Sequence, residues 1–85
     1  MELKVKSSII QLCESRAPDG TICPSEVARA VWPDDWRTHM EDVRAVGVEL
    51  AKANVIEITQ RGIVLDPSNE IRGAIRYRVA QRSAP

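Results

Sequence analysis

The sequence is poor in the residues that metal sites, disulfide frameworks and membrane spans require. Its 85 residues include two cysteines, one histidine and no CxxC pair, so neither a structural zinc site nor a disulfide framework is predicted. The longest purely aliphatic run is Ile63-Val64-Leu65, whereas a helix needs about 20 apolar residues to cross a bilayer. No apolar stretch typical of a secretory leader follows the first residues. We therefore expect a cytoplasmic protein with no metal ion, no cofactor and no membrane contact.

The sequence also lacks an excess of either charge. Twelve Lys and Arg residues balance twelve Asp and Glu residues, so the net charge is zero and bulk attraction to a polyanion is weak. The four glycines are isolated and form no phosphate-binding loop. No nucleophile stands beside a general base in a pattern typical of catalysis. These absences predict a protein that is not an enzyme.

What is present is the composition of a small globular domain. Hydrophobic residues make up 44% and charged residues 28% of the chain, which are ordinary proportions for a folded protein. The length corresponds to one domain. We expect this domain to cover residues 1–81, with residues 82–85 as a flexible tail.

The first two thirds of the chain have the hydrophobic spacing of helices. Cys23 precedes Pro24, a residue favoured at the first helical position, and Glu26 then falls in the first turn, where a negative charge is stabilised. Asn54 is a plausible left-handed stop at the end of the longest helix. The pattern predicts three helices, over residues 3–15, from Pro24 to the Trp32-Pro33 pair, and over residues 36–53.

After Asn54 the hydrophobic period changes to two, which is typical of half-buried strands. Ile56 and Ile58 alternate with polar residues, and the stretch from Ile75 to Val79 does the same. The extended piece Thr21-Ile22-Cys23 is a candidate third strand. The pattern leaves open whether Ile63-Val64-Leu65 is a middle strand or one arm of a long loop.

This order of elements is that of a winged helix-turn-helix domain, an α+β fold in which a three-helix bundle is covered by a C-terminal β-hairpin wing. The sequence also resembles, over about residues 5 to 79, a family of short bacterial winged-helix proteins classed as a domain of unknown function. The resemblance implies the winged-helix fold and no particular activity, since fold does not determine function. It rests on the segment CPSEVARA, the turn between Trp32 and Trp36, the segment ITQRG, and the stretches Val64-Leu65-Asp66-Pro67 and Gly73-Ala74-Ile75-Arg76.

The fold favours double-stranded DNA as the partner and a small transcriptional regulator as the role. In such domains the second helix of the motif approaches the major groove, which here assigns Arg37, Thr38 and Arg44 as candidate contacts. A wing that carries arginine can lie on the phosphate backbone or enter a narrow minor groove. The candidate wing contacts are Arg61, Arg72, Arg76 and Arg78.

The charge of helix three argues against that interpretation. Its inward positions are Trp36, Met40, Val43, Gly47 and Leu50, so its outward positions are Thr38, Glu41, Asp42, Ala45, Glu49 and Lys52. One positive charge then stands against three negative charges on a face that would meet a polyanion. The alternative function is therefore a non-catalytic protein-protein interaction module on the same scaffold. The sequence leaves the oligomeric state open.

Several residues allow two interpretations. Arg76 and Arg78 either contact a partner or pair with Glu57 across the sheet, and Cys23 is either a reactive thiol or a small buried hydrophobe. Trp32 and Trp36 are predicted to be core residues, with a base-stacking surface as the alternative. His39 is predicted to be a boundary residue bonded to a backbone carbonyl. Gly47 is predicted to permit close approach of two helices.

Overall fold

A computed structural model of the chain describes residues 2–80 and has the predicted α+β, winged-helix layout. The predicted tail, residues 82–85, lies outside the described residues. The elements in chain order are α1 (Glu2–Ser15), α2 (Pro24–Val31), a 3₁₀ turn (Trp36–His39), α3 (Met40–Lys52), β1 (Ile56–Gln60), β2 (Ile63–Val64) and β3 (Arg76–Val79). The three helices pack on one another, and the strands close the open side of the bundle.

The strands form one antiparallel sheet in the order β2-β1-β3. Ile58 lies opposite Tyr77 in the β1–β3 pair, and Ile22 forms a single antiparallel bridge to the same tyrosine. The predicted pairing of the Thr21–Cys23 piece with the hairpin is therefore confirmed as one bridge. The open question about residues 63–65 is also answered, because Ile63 and Val64 pair with the end of β1 as a two-residue strand.

Helix α2 begins as predicted, with Cys23 extended before Pro24. The Glu26 carboxylate accepts a hydrogen bond from the Cys23 backbone N–H at 2.8 Å and is bound by both terminal nitrogens of Arg16. The hydrogen bonds from Arg16 are the main reason that the pKa of Glu26 falls from 4.5 to about 2. This carboxylate thus joins the end of α1 to the start of α2.

The Glu26 contacts predict a stability loss in acid. Because the folded pKa is depressed, the contribution is complete above pH 4.5 and is lost as the pH falls toward 2. Since solvent reaches a third or more of both side chains, we expect a loss of about 1 kcal/mol. Urea unfolding of Glu26→Gln should show this loss at pH 7. Between pH 4.5 and pH 2 the free energy of unfolding of the variant should depend less on pH than that of the wild-type protein. Glu14→Gln, at an exposed site on α1, is the control and should keep the wild-type profile.

Helix α3 starts four residues later than predicted. Residues 36–39 form a 3₁₀ turn because Thr38 donates to the Asp35 carbonyl oxygen through both its backbone N–H, at 3.1 Å, and its hydroxyl, at 2.9 Å. A threonine side chain that bonds nearby backbone competes with regular helical bonding. The other end agrees with the prediction, since Asn54 has φ 62° and follows the last helical turn.

Tyr77 is the largest fully buried side chain of the core. It lies against Gly47, where an added Cβ would be 2.8 Å from the ring carbon Cε1. The prediction for Gly47 was therefore wrong in its partner, because the glycine admits an aromatic ring of β3 and not another helix. The Tyr77 hydroxyl has no hydrogen-bond partner among residues 2–80. The pKa of Tyr77 is raised above its usual value, mainly because the side chain is buried.

Both tryptophans were predicted to be core residues, but they are half-buried and lie at the edge of the core. The guanidinium groups of Arg29 and Arg37 lie over the Trp36 ring, 4.4 Å and 4.5 Å from its centroid. Trp32 stacks on His39 with ring centroids 3.9 Å apart. Two guanidinium groups therefore already cover the Trp36 ring, which reduces its use as a base-stacking platform.

His39 is a boundary residue, but its partners differ from the prediction. Its ring nitrogens lie 3.2 Å from an Asp42 carboxylate oxygen and 3.3 Å from an Asp35 carboxylate oxygen, and no backbone carbonyl bonds to it in the described chain. The 3₁₀ turn causes this difference, because it places the ring between the Asp35 and Asp42 side chains.

Two general features complete the fold. No helix within residues 2–80 is both long and apolar enough to cross a membrane. The same residues contain no group of three or more His, Cys, Asp or Glu side chains with the proximity that a metal ion needs.

Candidate nucleic-acid interface

Three of the predicted arginines meet at one place on the surface. The segment from residue 61 to residue 75, here called the wing, joins β1 to β3 and includes β2. Arg61, Arg72 and Arg76 line an open cleft of about 730 Å³ on it. We call this the wing cleft; Gln60, Ile63 and Cys23 also line it. The wing cleft therefore brings three guanidinium groups to one cavity.

Arg61 is the least constrained of the three. It occupies a two-residue turn between β1 and β2, where Gln60 pairs with Ile63. Arg61 and Gly62 both have positive φ, 54° and 81°, which is the geometry of a type I′ hairpin turn. The guanidinium makes no hydrogen bond or ion pair within residues 2–80, and the residue is exposed. Arg61 is therefore available to a partner.

Arg72 is on the opposite margin of the cleft. Its Nε donates to a Glu70 carboxylate oxygen at 2.8 Å, with both side chains mostly exposed, so the pair contributes little and can exchange partners. The backbone here is held by Gln60, whose amide nitrogen donates to the Arg72 carbonyl at 2.6 Å and to the Ala74 carbonyl at 3.3 Å. The returning arm of the wing is thus fixed relative to β1.

Arg76 and Arg78 are on the outer face of β3 and have different neighbours. Arg78 donates to Glu57 at 2.9 Å, and both side chains are mostly buried, which confirms the cross-strand pairing for this residue. Arg76 does not pair with Glu57. It donates instead to the Thr21 hydroxyl and carbonyl and to the Cys23 sulfur at 2.8 Å, because its neighbour across the sheet edge is the 21–23 segment.

Arg44 is engaged with the wing. Its terminal nitrogen donates to the carbonyl oxygens of Gly73 at 3.1 Å and Ile71 at 3.5 Å. These two hydrogen bonds join α3 to the wing. This candidate contact is therefore half-buried and already engaged with backbone carbonyls.

Arg37 and Thr38 lie in the 3₁₀ turn before α3 and do not line the wing cleft. Arg37 stacks on Trp36 and is otherwise exposed, while the Thr38 hydroxyl bonds to the Asp35 carbonyl. The structure thus separates the seven candidate residues. Three line the wing cleft, two lie in the 3₁₀ turn before α3, and the remaining two, Arg44 and Arg78, bond to the wing carbonyls and to Glu57.

The solvent face of α3 is acidic, as the sequence predicted. All six residues assigned to the outward face are exposed, and their formal charge is one positive against three negative; they are Thr38, Glu41, Asp42, Ala45, Glu49 and Lys52. The face that reads the major groove in helix-turn-helix proteins therefore presents carboxylates to solvent.

The sequence interpretation missed three residues of the surface. Ile63 and Val64 are exposed hydrophobic side chains on the edge strand, 67% and 47% accessible, and Arg29 covers one face of Trp36. The pair Arg61-Gly62 before two aliphatic residues was a usable signal for a hairpin tip with exposed apolar residues. The position of Arg29 had no local signal.

Residues 2–80 match a family model whose description is "Protein of unknown function (DUF3253)". No curated protein matches the chain.

Proposed function

The chain belongs to this family, and because its description names no activity, we propose from the geometry that the protein is a non-catalytic, cytoplasmic DNA-binding protein, acting as a small transcriptional regulator. The observation that carries this proposal is the meeting of Arg61, Arg72 and Arg76 around one cleft of the wing. Phosphate neutralisation by arginine supplies most of the affinity of non-specific DNA binding.

The contacts of these three residues suit a phosphate backbone. Within residues 2–80, Arg61 has no hydrogen-bond or ion-pair partner, and the side-chain partner of Arg72 is an exposed carboxylate that a phosphate can replace. Arg76 donates its hydrogen bonds to neutral groups within the described chain, a hydroxyl, a carbonyl and a thiol, and forms no direct ion pair there. The fold supports the same class of partner, since the wing of a winged helix-turn-helix domain extends beside its third helix.

The test is a titration of labelled duplex DNA at low and moderate salt. We expect the wild-type protein to bind at micromolar concentration in low salt, with affinity that falls steeply as salt rises. Arg61→Ala combined with Arg72→Ala should lower the affinity at least tenfold and reduce the slope of log K against log[salt] by about 2, one for each lost phosphate contact.

The matched control is Lys4→Ala combined with Lys6→Ala. It removes the same two charges from α1, which does not line the wing cleft, and should leave the affinity within about twofold, since bulk charge contributes little. Equal losses in both double variants would show that net charge, and not the cleft, binds the DNA. Absence of binding by the wild-type protein in low salt would end the proposal.

The acidic face of α3 favours a second candidate, a protein-interaction module. Glu41, Asp42 and Glu49 repel DNA but suit a basic protein surface. This function predicts a stoichiometric complex with one protein partner and no nucleic acid. Glu41→Lys combined with Glu49→Lys should abolish that complex, whereas in the DNA-binding case the same change should leave DNA affinity equal or higher.

A further inference from the structure

We propose that DNA is bound wing-first, with the Arg61 and Ile63 side chains in the minor groove of A·T-rich duplex and α3 outside the major groove. This inference rests on the DNA-binding function proposed above and adds to it the groove, the base composition and the residues at the contact. This mode differs from that of most helix-turn-helix proteins, in which the recognition helix contacts the bases in the major groove.

The first step concerns α3. Its exposed face carries three carboxylates and one basic residue, Lys52. The pKa of Asp66 in the wing is lowered mainly by the backbone and side-chain hydrogen bonds from Ser68, and to a smaller extent by the positive charge of Lys52. The helix arginine nearest to that face, Arg44, is bonded to wing carbonyls. The segment of the wing around Pro67 and Ile71 borders the same flank of α3. An acidic helix partly covered by its own wing is poorly suited to the major groove.

The second step concerns the hairpin tip. Arg61 is exposed and unpaired among residues 2–80, and Ile63, two residues on, is 67% accessible. A narrow A·T minor groove has an enhanced negative potential that attracts arginine, and proteins that bind this groove also place apolar side chains against it. The groove is only about 6 Å wide, so side chains enter and the hairpin backbone stays outside. Arg72 and Arg76, on the cleft margins, are then placed for the flanking phosphates.

The third step concerns the backbone of the tip. A non-glycine residue with φ near +54° is less stable there than glycine or asparagine. Arginine at position 61 is thus unfavourable for the turn backbone, whereas its guanidinium is suited to binding DNA. Arg61→Gly consequently separates function from folding, because it removes the guanidinium and should raise the thermal unfolding midpoint.

The experiment compares four labelled duplexes of equal length: A·T-rich, mixed, G·C-only, and the G·C duplex with inosine in place of guanine. Inosine lacks the 2-amino group of guanine, so the last duplex resembles A·T in the minor groove and G·C in the major groove. We expect the A·T-rich and inosine duplexes to bind about tenfold more tightly than the G·C duplex. Arg61→Gly should bind all four weakly and equally.

Each other outcome contradicts a different statement. An inosine duplex that binds like the G·C duplex, while A·T is preferred, would overturn the minor-groove assignment. Equal binding of all four duplexes by the wild-type protein, or an A·T preference that survives Arg61→Gly, would overturn the wing-first inference and leave DNA binding intact. Failure of the wild-type protein to bind any duplex in low salt would instead overturn the proposed function itself.

Discussion

Gly47→Ala is expected to destabilise the protein by about 2 kcal/mol or more. A Cβ at this position would lie 2.5 Å from Cζ of Tyr77, well inside contact distance, and the tyrosine is fully buried. Overpacking of this kind costs about 1 to 3 kcal/mol or more and exceeds the gain of about 1 kcal/mol that alanine brings to a helix. For a chain of this size the unfolding midpoint should fall by about 10 °C.

The control for Gly47→Ala is the same change in a Tyr77→Leu background. Leucine removes the ring atoms that the new methyl group meets, so the substitution should then be neutral or stabilising, and the two changes should show strong coupling in a double-mutant cycle. Calorimetry or urea unfolding measures both. A Gly47→Ala protein that is more stable than wild type would show that the ring and the helix are not in contact.

The protein is expected to lose about 3 kcal/mol of stability between pH 9 and pH 11, through two buried acids. Burial raises the pKa of Cys13 from 9.0 to about 11 and raises that of Tyr77 above its usual 10.0. Well below pH 9 both groups are neutral in the folded and the unfolded chain. As the pH rises further the unfolded chain ionises first, which favours unfolding by about 1.4 kcal/mol for each pH unit and group.

Single substitutions should divide this alkaline loss between the two groups. Tyr77→Phe should remove the part above pH 10 and should cost little at pH 7, because the hydroxyl has no hydrogen-bond partner in the described chain. Cys13→Ala should remove the part that begins at pH 9, on a protein weakened by the smaller side chain. Urea unfolding at several pH values measures the slopes. A Tyr77→Phe protein with the wild-type slope above pH 10 would contradict the assignment.

Much of the fold was predictable because its signals are local. Pro24 with Cys23 and Glu26 predicted the start of α2, and Asn54 predicted the end of α3, since capping depends on a few adjacent residues. The 3₁₀ turn at residues 36–39 was not predicted, because the apolar period continues through Trp36 and Met40 and conceals the competing bond from Thr38 to Asp35.

The candidate site was predicted in composition and not in arrangement. The candidate wing arginines, Arg61, Arg72, Arg76 and Arg78, and the acidic face of α3 could all be read from the sequence. The sequence could not show that Arg44 reaches carbonyl groups 27 and 29 positions away, or that Arg76 turns to Thr21 across 55 positions. Those contacts depend on which surfaces the packed elements bring together.

The sequence by itself determined the element order, the winged-helix layout and the acidic character of the α3 surface, because hydrophobic period, caps and helical spacing act within a few residues. Only the tertiary structure decided which partners the guanidinium groups have and that three of these groups share one cleft. The physical reason is that a side chain's partner is selected by three-dimensional proximity, which closure of the sheet over the helices creates between segments distant in the chain.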